Sequence, residues 1–401
     1  MTINDAQLAG WVSRTKGDAE LAVSVQNTIT ELTSVNSTLV NMVQERDAEI
    51  TSLKAQVASG VADMAGATET IAFLESEVAR LRAIIAAGTP TPPPVEPPPV
   101  EPPPPVPSGL KLMPPNGKLI IGCSAPNGAW ASYQQITGTV PHVWHEYSTS
   151  STGFATDLDA VPATTVPLLN FKPLGKMGNQ AYIDILNGKA DASIKAAAAK
   201  AKAYGKPMLV APLHEPENDT TGLTGSALLA ADQNYAKAFR YVVEMFRANG
   251  ATNVEFVWNM MSFQAHLPRY DTLYPGDDVV DYIGADPYSH DTSDTLLTFG
   301  TLIEFYDAMD KHGKPMILCE WGIAKDVSAS VAPRLTQAEL DKLQERMPRL
   351  VGFIVWSQWL AEAQAVNDPS KDYRMGNNPT DWKRFATLPE FTWEWPAGVA
   401  K

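Results

Sequence analysis

Residues 191–215 read DASIKAAAAKAKAYGKPMLVAPLHE, and this stretch decides the fold. Its first fourteen residues are rich in alanine and lysine, with no proline and no β-branched run, which favours a helix; Gly205 then offers a left-handed stop. The run MLVAPLHE (208–215) is continuously apolar until its last two residues. A strand without polar alternation is covered on both faces, as in a parallel sheet flanked by helices.

The same rhythm recurs outward in both directions. Apolar runs stand at 119–123 (LIIGC), 142–147 (HVWHEY), 166–171 (VPLLNF), 254–259 (VEFVWN), 280–288 (VDYIGADPY), 316–322 (MILCEWG) and 352–359 (GFIVWSQW). With 208–215 they predict eight strands alternating with helical stretches over residues 110–401, the size and pattern of an α/β fold of the (β/α)₈ TIM-barrel type. An open doubly wound sheet is the alternative, but no glycine-rich phosphate loop follows the first run.

Upstream the composition changes twice. From Val25 to Ile85 apolar residues keep a 3-4 spacing interrupted only at Asn36, Arg46 and Gly60, which predicts a parallel coiled coil over 21–87, about 90 Å long at 1.5 Å per residue. Mostly β-branched residues at one seam position and leucine at the other fit a homodimer or homotrimer, with Asn36 fixing register. Residues 88–109 (GTPTPPPVEPPPVEPPPPVPSG) cannot form helix or sheet and predict a stiff polyproline spacer; an SH3-type ligand is the other use of such a run. Residues 1–20 remain as an N-terminal anchoring segment. They show no basic start followed by an apolar core, so no signal peptide is expected, and no eighteen-residue apolar run predicts membrane insertion.

A formal charge of −14 disfavours nucleic acid and anionic surfaces and fits a neutral partner. Cys123 and Cys319 sit inside apolar runs and are expected as buried free thiols. No histidine cluster or nucleotide fingerprint is present, so neither a metal nor an organic cofactor is expected.

In such a barrel chemistry belongs to the C-terminal strand ends. Glu215 follows the fourth run and Glu320 ends the seventh, across the mouth from one another. Two opposed carboxyl groups are what glycosidic cleavage requires, one protonating the leaving oxygen and the other attacking the anomeric carbon. Glu215 is expected as the acid/base and Glu320 as the nucleophile. Tyr288 can donate its hydroxyl to Glu320, and His214 can orient Glu215 or contact substrate. Trp356, Trp321 and Trp258 offer flat faces for sugar rings, and His145 with Glu146 is placed at the border of the site.

These residues resemble glycoside hydrolase family 26, the β-mannanase family. The resemblance runs over nearly all of 119–360: Gly188-Lys189-Ala190-Asp191, His214-Glu215, the run Tyr274-Pro275-Gly276-Asp277-Asp278, Asp286-Pro287-Tyr288, Glu320-Trp321-Gly322 and Trp356, in the family's order. It implies the same acid/base and nucleophile, a tyrosine bonded to the nucleophile, a tryptophan platform, and a retaining, endo-acting hydrolase of a β-mannan or related neutral glycan. Where the family has arginine before the Pro-x-His-Glu run and Asn-Gly after it, this sequence has Ala211 and Glu217. Glu217 is expected as a solvated loop side chain, with an upward influence on the Glu215 pKa or cation binding as alternatives.

The rod, spacer and barrel together lead to the expectation of a phage virion component, such as a minor tail protein. Residues 1–20 would join other virion proteins, and the barrel would meet host-surface polysaccharide. A non-catalytic carbohydrate-binding adhesin and a structural spike are the competing classes.

Overall fold

The computed structural model describes residues 110–124, 130–149, 152–175, 177–358, 360–396 and 398–399. The anchoring segment, heptad region and proline spacer expected over 1–20, 21–87 and 88–109 lie outside the described residues.

Eight parallel strands follow in chain order: β1 (Ile120–Ser124), β2 (Val143–Thr149), β3 (Val166–Lys172), β4 (Met208–Pro212), β5 (Val254–Met260), β6 (Tyr282–Ala285), β7 (Met316–Ile323) and β8 (Leu350–Trp356). Each pairs with the next, and β1 pairs with β8, Gly122 opposite Ile354, so the sheet closes. A two-residue strand, Tyr288–Ser289, adds to the outer end of β7 at Gly322 and Ile323.

Strand alternation separates two apolar layers. Ile120, Val143, Leu168, Leu209, Val257, Ile317, Cys319 and Ile354 fill the barrel, with Leu112 and Trp395 in the same cluster. Their neighbours in sequence, such as Trp144, Leu169, Val210, Trp258, Leu318 and Phe353, pack outward against helices. Both cysteines are buried and free.

Helices join the strands as the composition suggests. Asp191–Tyr204 ends at Gly205, which is left-handed (φ 72°) and donates its N–H to the Ala201 carbonyl. Gly225–Ala248 buries Ala231, Tyr235, Ala238, Val242 and Phe246, a stripe at helical spacing laid on the sheet. One unit departs from the pattern: among the described residues, β2 and β3 are joined by only a short 3₁₀ turn, Leu158–Ala160. The joining sequence there carries four threonines, Gly153 and Pro162, which are poor helix formers.

The run Tyr274–Asp278 supports the entry to β6 rather than the mouth. Tyr274 stacks on His312 at 3.8 Å and donates to Asp277, while Arg240 clasps Asp278 and the Pro275 carbonyl. Gly276 has φ 112°, and a Cβ there would lie 2.6 Å from the Arg240 guanidinium, so only glycine fits. No helix among the described residues is long and apolar enough to cross a membrane.

Candidate active site

Glu320 reaches the barrel interior through an irregularity in β7. Leu318 pairs with Phe353 and Trp321 with Val355, so three steps along β7 oppose two along β8, a β-bulge. Strict alternation with Cys319 inward would turn Glu320 out. The extra residue lets Cys319 and Glu320 both face in, while Trp321 faces the helices.

Carboxylate oxygens of Glu215, Asp286 and Glu320 lie within 4.8 Å of one another. Tyr288 donates to one oxygen of Glu320 at 2.6 Å, and Tyr147 donates to the other. Asn218 donates to Glu215 at 3.0 Å, and Asn259 to Asp286 at 2.8 Å. Glu215 and Asp286 also act on each other's titration, Asp286 lowering Glu215 and Glu215 raising Asp286, so the acid is favoured on Asp286. Among the described residues this trio is the grouping of acidic, His or Cys side chains close enough to hold a cation.

Burial dominates the electrostatics. It raises Glu320 to about 8, with the Glu215 charge adding and the two phenol donors opposing. Burial and then the Glu217 charge raise Glu215 to about 7. Asp286, 1% exposed, is raised well above the usual carboxylate range by burial, then by Glu320 and Glu215. Three carboxyl groups this close cannot all ionise near neutrality.

The acid-bearing turn after β4 is irregular. Leu213 and Glu215 have φ of 55° and 50°, a conformation that costs energy for side-chain-bearing residues. The Glu215 N–H donates to the Asn259 carbonyl at 3.0 Å, and the four-residue helix Pro216–Asp219 follows. Glu217, expected in solvent, is 3% exposed instead. Its position on this tight turn points it under the mouth, where Oε1 accepts the Met261 N–H at 3.0 Å.

His214 and His145 both lie at the mouth, on either side of Tyr147, with ring separations of 5.7 and 4.9 Å. Burial keeps both imidazoles neutral, His145 falling to about 4 and His214 well below the usual imidazole range. Glu146, on the outward parity of β2, is only half-buried. Trp356 shares the inward parity of Ile354 and meets Tyr288 edge-on at 5.9 Å. The other two tryptophans require correction. Trp321 is buried among Phe299, Phe353, Trp382 and Phe385, and Trp258 between Tyr270 and Phe305 with its N–H on the Leu273 carbonyl. Both stand one residue from an inward polar side chain and face the helical layer, so neither offers a surface to a ligand.

Sequence reading missed Tyr147, Asp286 as a member of the trio, Lys172 and Tyr373. Tyr147 lies two residues after His145 and so shares its face, a signal that was present. Lys172, at the end of β3, pairs with Asp219 at 3.4 Å and lowers the pKa of both Glu215 and Glu320. Tyr373 packs against both Tyr288 and Trp356, a contact between distant loops with no sequence signature.

Residues 138–312 match the sequence model of glycosyl hydrolase family 26. That span contains β2 to β6 with Glu215, Asp286 and Tyr288, and ends before Glu320. Endoglucanase H of Acetivibrio thermocellus is 31% identical over 230 residues, covering 54% of this chain and 25% of that protein. A mannan endo-1,4-beta-mannosidase of Bifidobacterium adolescentis is 29% identical over 179 residues, covering 41% of this chain and 17% of its own length. The chain thus spans a quarter or less of these two relatives. Among solved structures, a GH26 beta-mannanase of Bacteroides ovatus superposes with a TM-score of 0.50 at 15% identity, over 71% of this chain and 93% of that one, a likeness of fold. The barrel of this chain is thus similar to glycosyl hydrolase family 26 in sequence over residues 138–312 and in fold.

Proposed function

We propose that the barrel is a retaining, endo-acting glycoside hydrolase of a neutral β-linked polysaccharide, a β-mannan or related β-glycan. The observation that carries this reading is the approach of Glu215 and Glu320 oxygens to within 4.8 Å. Double displacement uses carboxyl groups about 5–5.5 Å apart, whereas inversion needs about 6.5–9.5 Å to admit water between acid and base. The names of the two relatives, an endoglucanase and a mannan endo-1,4-beta-mannosidase, support a β-glycan backbone.

In this reading Glu320 attacks the anomeric carbon while the Glu215 proton passes to the departing glycosidic oxygen. The C–O bond breaks and a glycosyl ester forms on Glu320. Glu215, now a carboxylate, takes a proton from water, the hydroxyl oxygen bonds to the anomeric carbon, and Glu320 leaves as carboxylate. Both phenols donate to Glu320, so its oxygens act as acceptors and the nucleophilic anion is favoured against the burial that raises it. Trp356 borders the sugar at the cleavage point, and the neutral His214 and His145 line the cleft without adding charge.

Reducing-sugar release from mannan, mixed-linkage glucan and bacterial envelope extracts tests the activity. The full chain is expected to release sugar, with Glu320→Ala reduced at least about a thousandfold and the first-formed product keeping its anomeric configuration by proton NMR. Saccharide binding without release supports the adhesin instead, and no binding at all supports the spike. The heptad stripe and proline spacer support display of an oligomer on a phage virion, with residues 1–20 joining other virion proteins. Mass spectrometry of purified particles that lack the chain sinks that assignment.

A further inference from the structure

The turn that carries Glu215 is held by side chains that take no part in bond cleavage. Its left-handed residues need surroundings that over-determine them. Glu217 ties the turn to the end of β5 through the Met261 N–H. Arg269 grips Asp232 with two hydrogen bonds of 2.7 and 3.0 Å and also donates to Thr220 at 2.7 Å, closing the far end of the same turn. Asp219 completes the hold through Lys172 and Tyr182.

We propose that Glu217 is a positioning residue for Glu215: its carboxylate fastens the strained acid-bearing turn to β5 and sets a buried negative charge behind the acid. The charge has few neutralising partners. Facing Glu217 are Glu215 on its own turn, Arg269 and Tyr270 from the segment after β5, and Tyr182 and Tyr235 from two packed helices. Arg269 is the one cation among these, and Asp232 and His266 already share it. A negative charge beside a carboxylic acid opposes loss of its proton, and Glu217 is second only to burial in raising Glu215. Glu217, itself raised to about 7 chiefly by burial, thereby extends the pH range over which Glu215 remains an acid.

This inference rests on the acid/base role proposed for Glu215, and the test separates the two. In the full chain, Glu217→Gln keeps an acceptor for Met261 and removes the charge; Glu217→Ala removes both. For Glu217→Gln the alkaline limb of kcat/KM is expected to move down by about half to one pH unit, with kcat at pH 5 within about threefold of the parent. Glu217→Ala is expected to add a kcat loss of about tenfold or more, rescued by the Gln variant. An alkaline limb that stays in place in Glu217→Gln overturns the proposal, as does equal kcat in the two variants. Infrared titration of the Glu215 carboxyl, taken as the difference from Glu215→Gln, reads the same charge coupling without substrate. A midpoint unmoved by Glu217→Gln overturns the proposal even if Glu217→Ala fails to fold. A parent chain that cleaves no glycan sinks the functional reading alone and leaves the infrared midpoint to decide this one.

Discussion

Tyr147 and Tyr288 donate to different oxygens of Glu320, one from β2 and one from the short strand beyond β6. Each donor favours the anion over the acid, which matters for a carboxylate that burial pushes upward. Tyr288→Phe removes one donor, so Glu320 rises further and is protonated over a wider acidic range. The acidic limb of kcat/KM is therefore expected to move to higher pH, and kcat/KM at pH 6 to fall about tenfold to a hundredfold, the usual worth of a hydrogen bond to a charged group. A limb that stays put, measured from pH 4 to 8, refutes the role. Tyr288 was legible because it closes the Asp286-Pro287-Tyr288 run. Tyr147 is equally legible by period-two spacing, since it lies two residues after His145 on the same face of β2. Glu217 was misread because charge near a turn ordinarily means solvent; burial is set by how Met261 and Arg269 close over it, and both are distant in sequence.

The strands carry a second kind of information, space. A Cβ on Gly284 of β6 would lie 2.5 Å from Asn259 Oδ1, 2.9 Å from Cys319 Sγ and 2.9 Å from a Val257 methyl. Cys319 belongs to the β7 bulge and Asn259 supplies the amide that holds Asp286, so the glycine makes room for the catalytic layer. Gly284→Ala is expected to destabilise the barrel by about 1–3 kcal/mol through overpacking, measured by denaturant unfolding, and to lower activity by displacing Asn259. A variant as stable and active as the parent shows that the interior yields. The bulge was invisible in MILCEWGI because eight consecutive buried residues carry no alternation to interrupt. By contrast, the heptads of 21–87 carry their pattern in sequence alone. Sedimentation is expected to show the full chain as a dimer or trimer and residues 110–401 as a folded monomer; a monomeric full chain removes the coiled coil.

Closure of the whole barrel was legible because eight apolar runs at regular spacing leave few ways to bury both faces of a parallel sheet, and the helix missing between β2 and β3 did not disturb that count. The meeting of Glu215, Asp286 and Glu320 followed only coarsely, since strand ends fix neighbourhoods while turns and bulges fix ångströms. That meeting has a consequence for the stability of the whole domain. Glu215, Glu217 and Glu320 have folded-state pKa values raised to about 7, 7 and 8, against about 4.3 for an unfolded glutamate. Between those limits the folded state binds more protons than the unfolded one, so stability falls as pH rises. The stabilisation is fully present below about pH 4.3 and is lost through pH 7 to 8, on a background of other carboxylates that repel at the acidic extreme. The barrel is therefore expected to melt several degrees higher at pH 5 than at pH 8. Glu320→Gln, neutral at every pH, removes the largest of the three raised values. Its melting temperature is expected to exceed the parent's at pH 8 and to approach it at pH 5, a gain in stability obtained by discarding the nucleophile. Calorimetry at both pH values decides the matter: parallel pH slopes for parent and variant would mean that the Glu320 proton is not the one the fold retains.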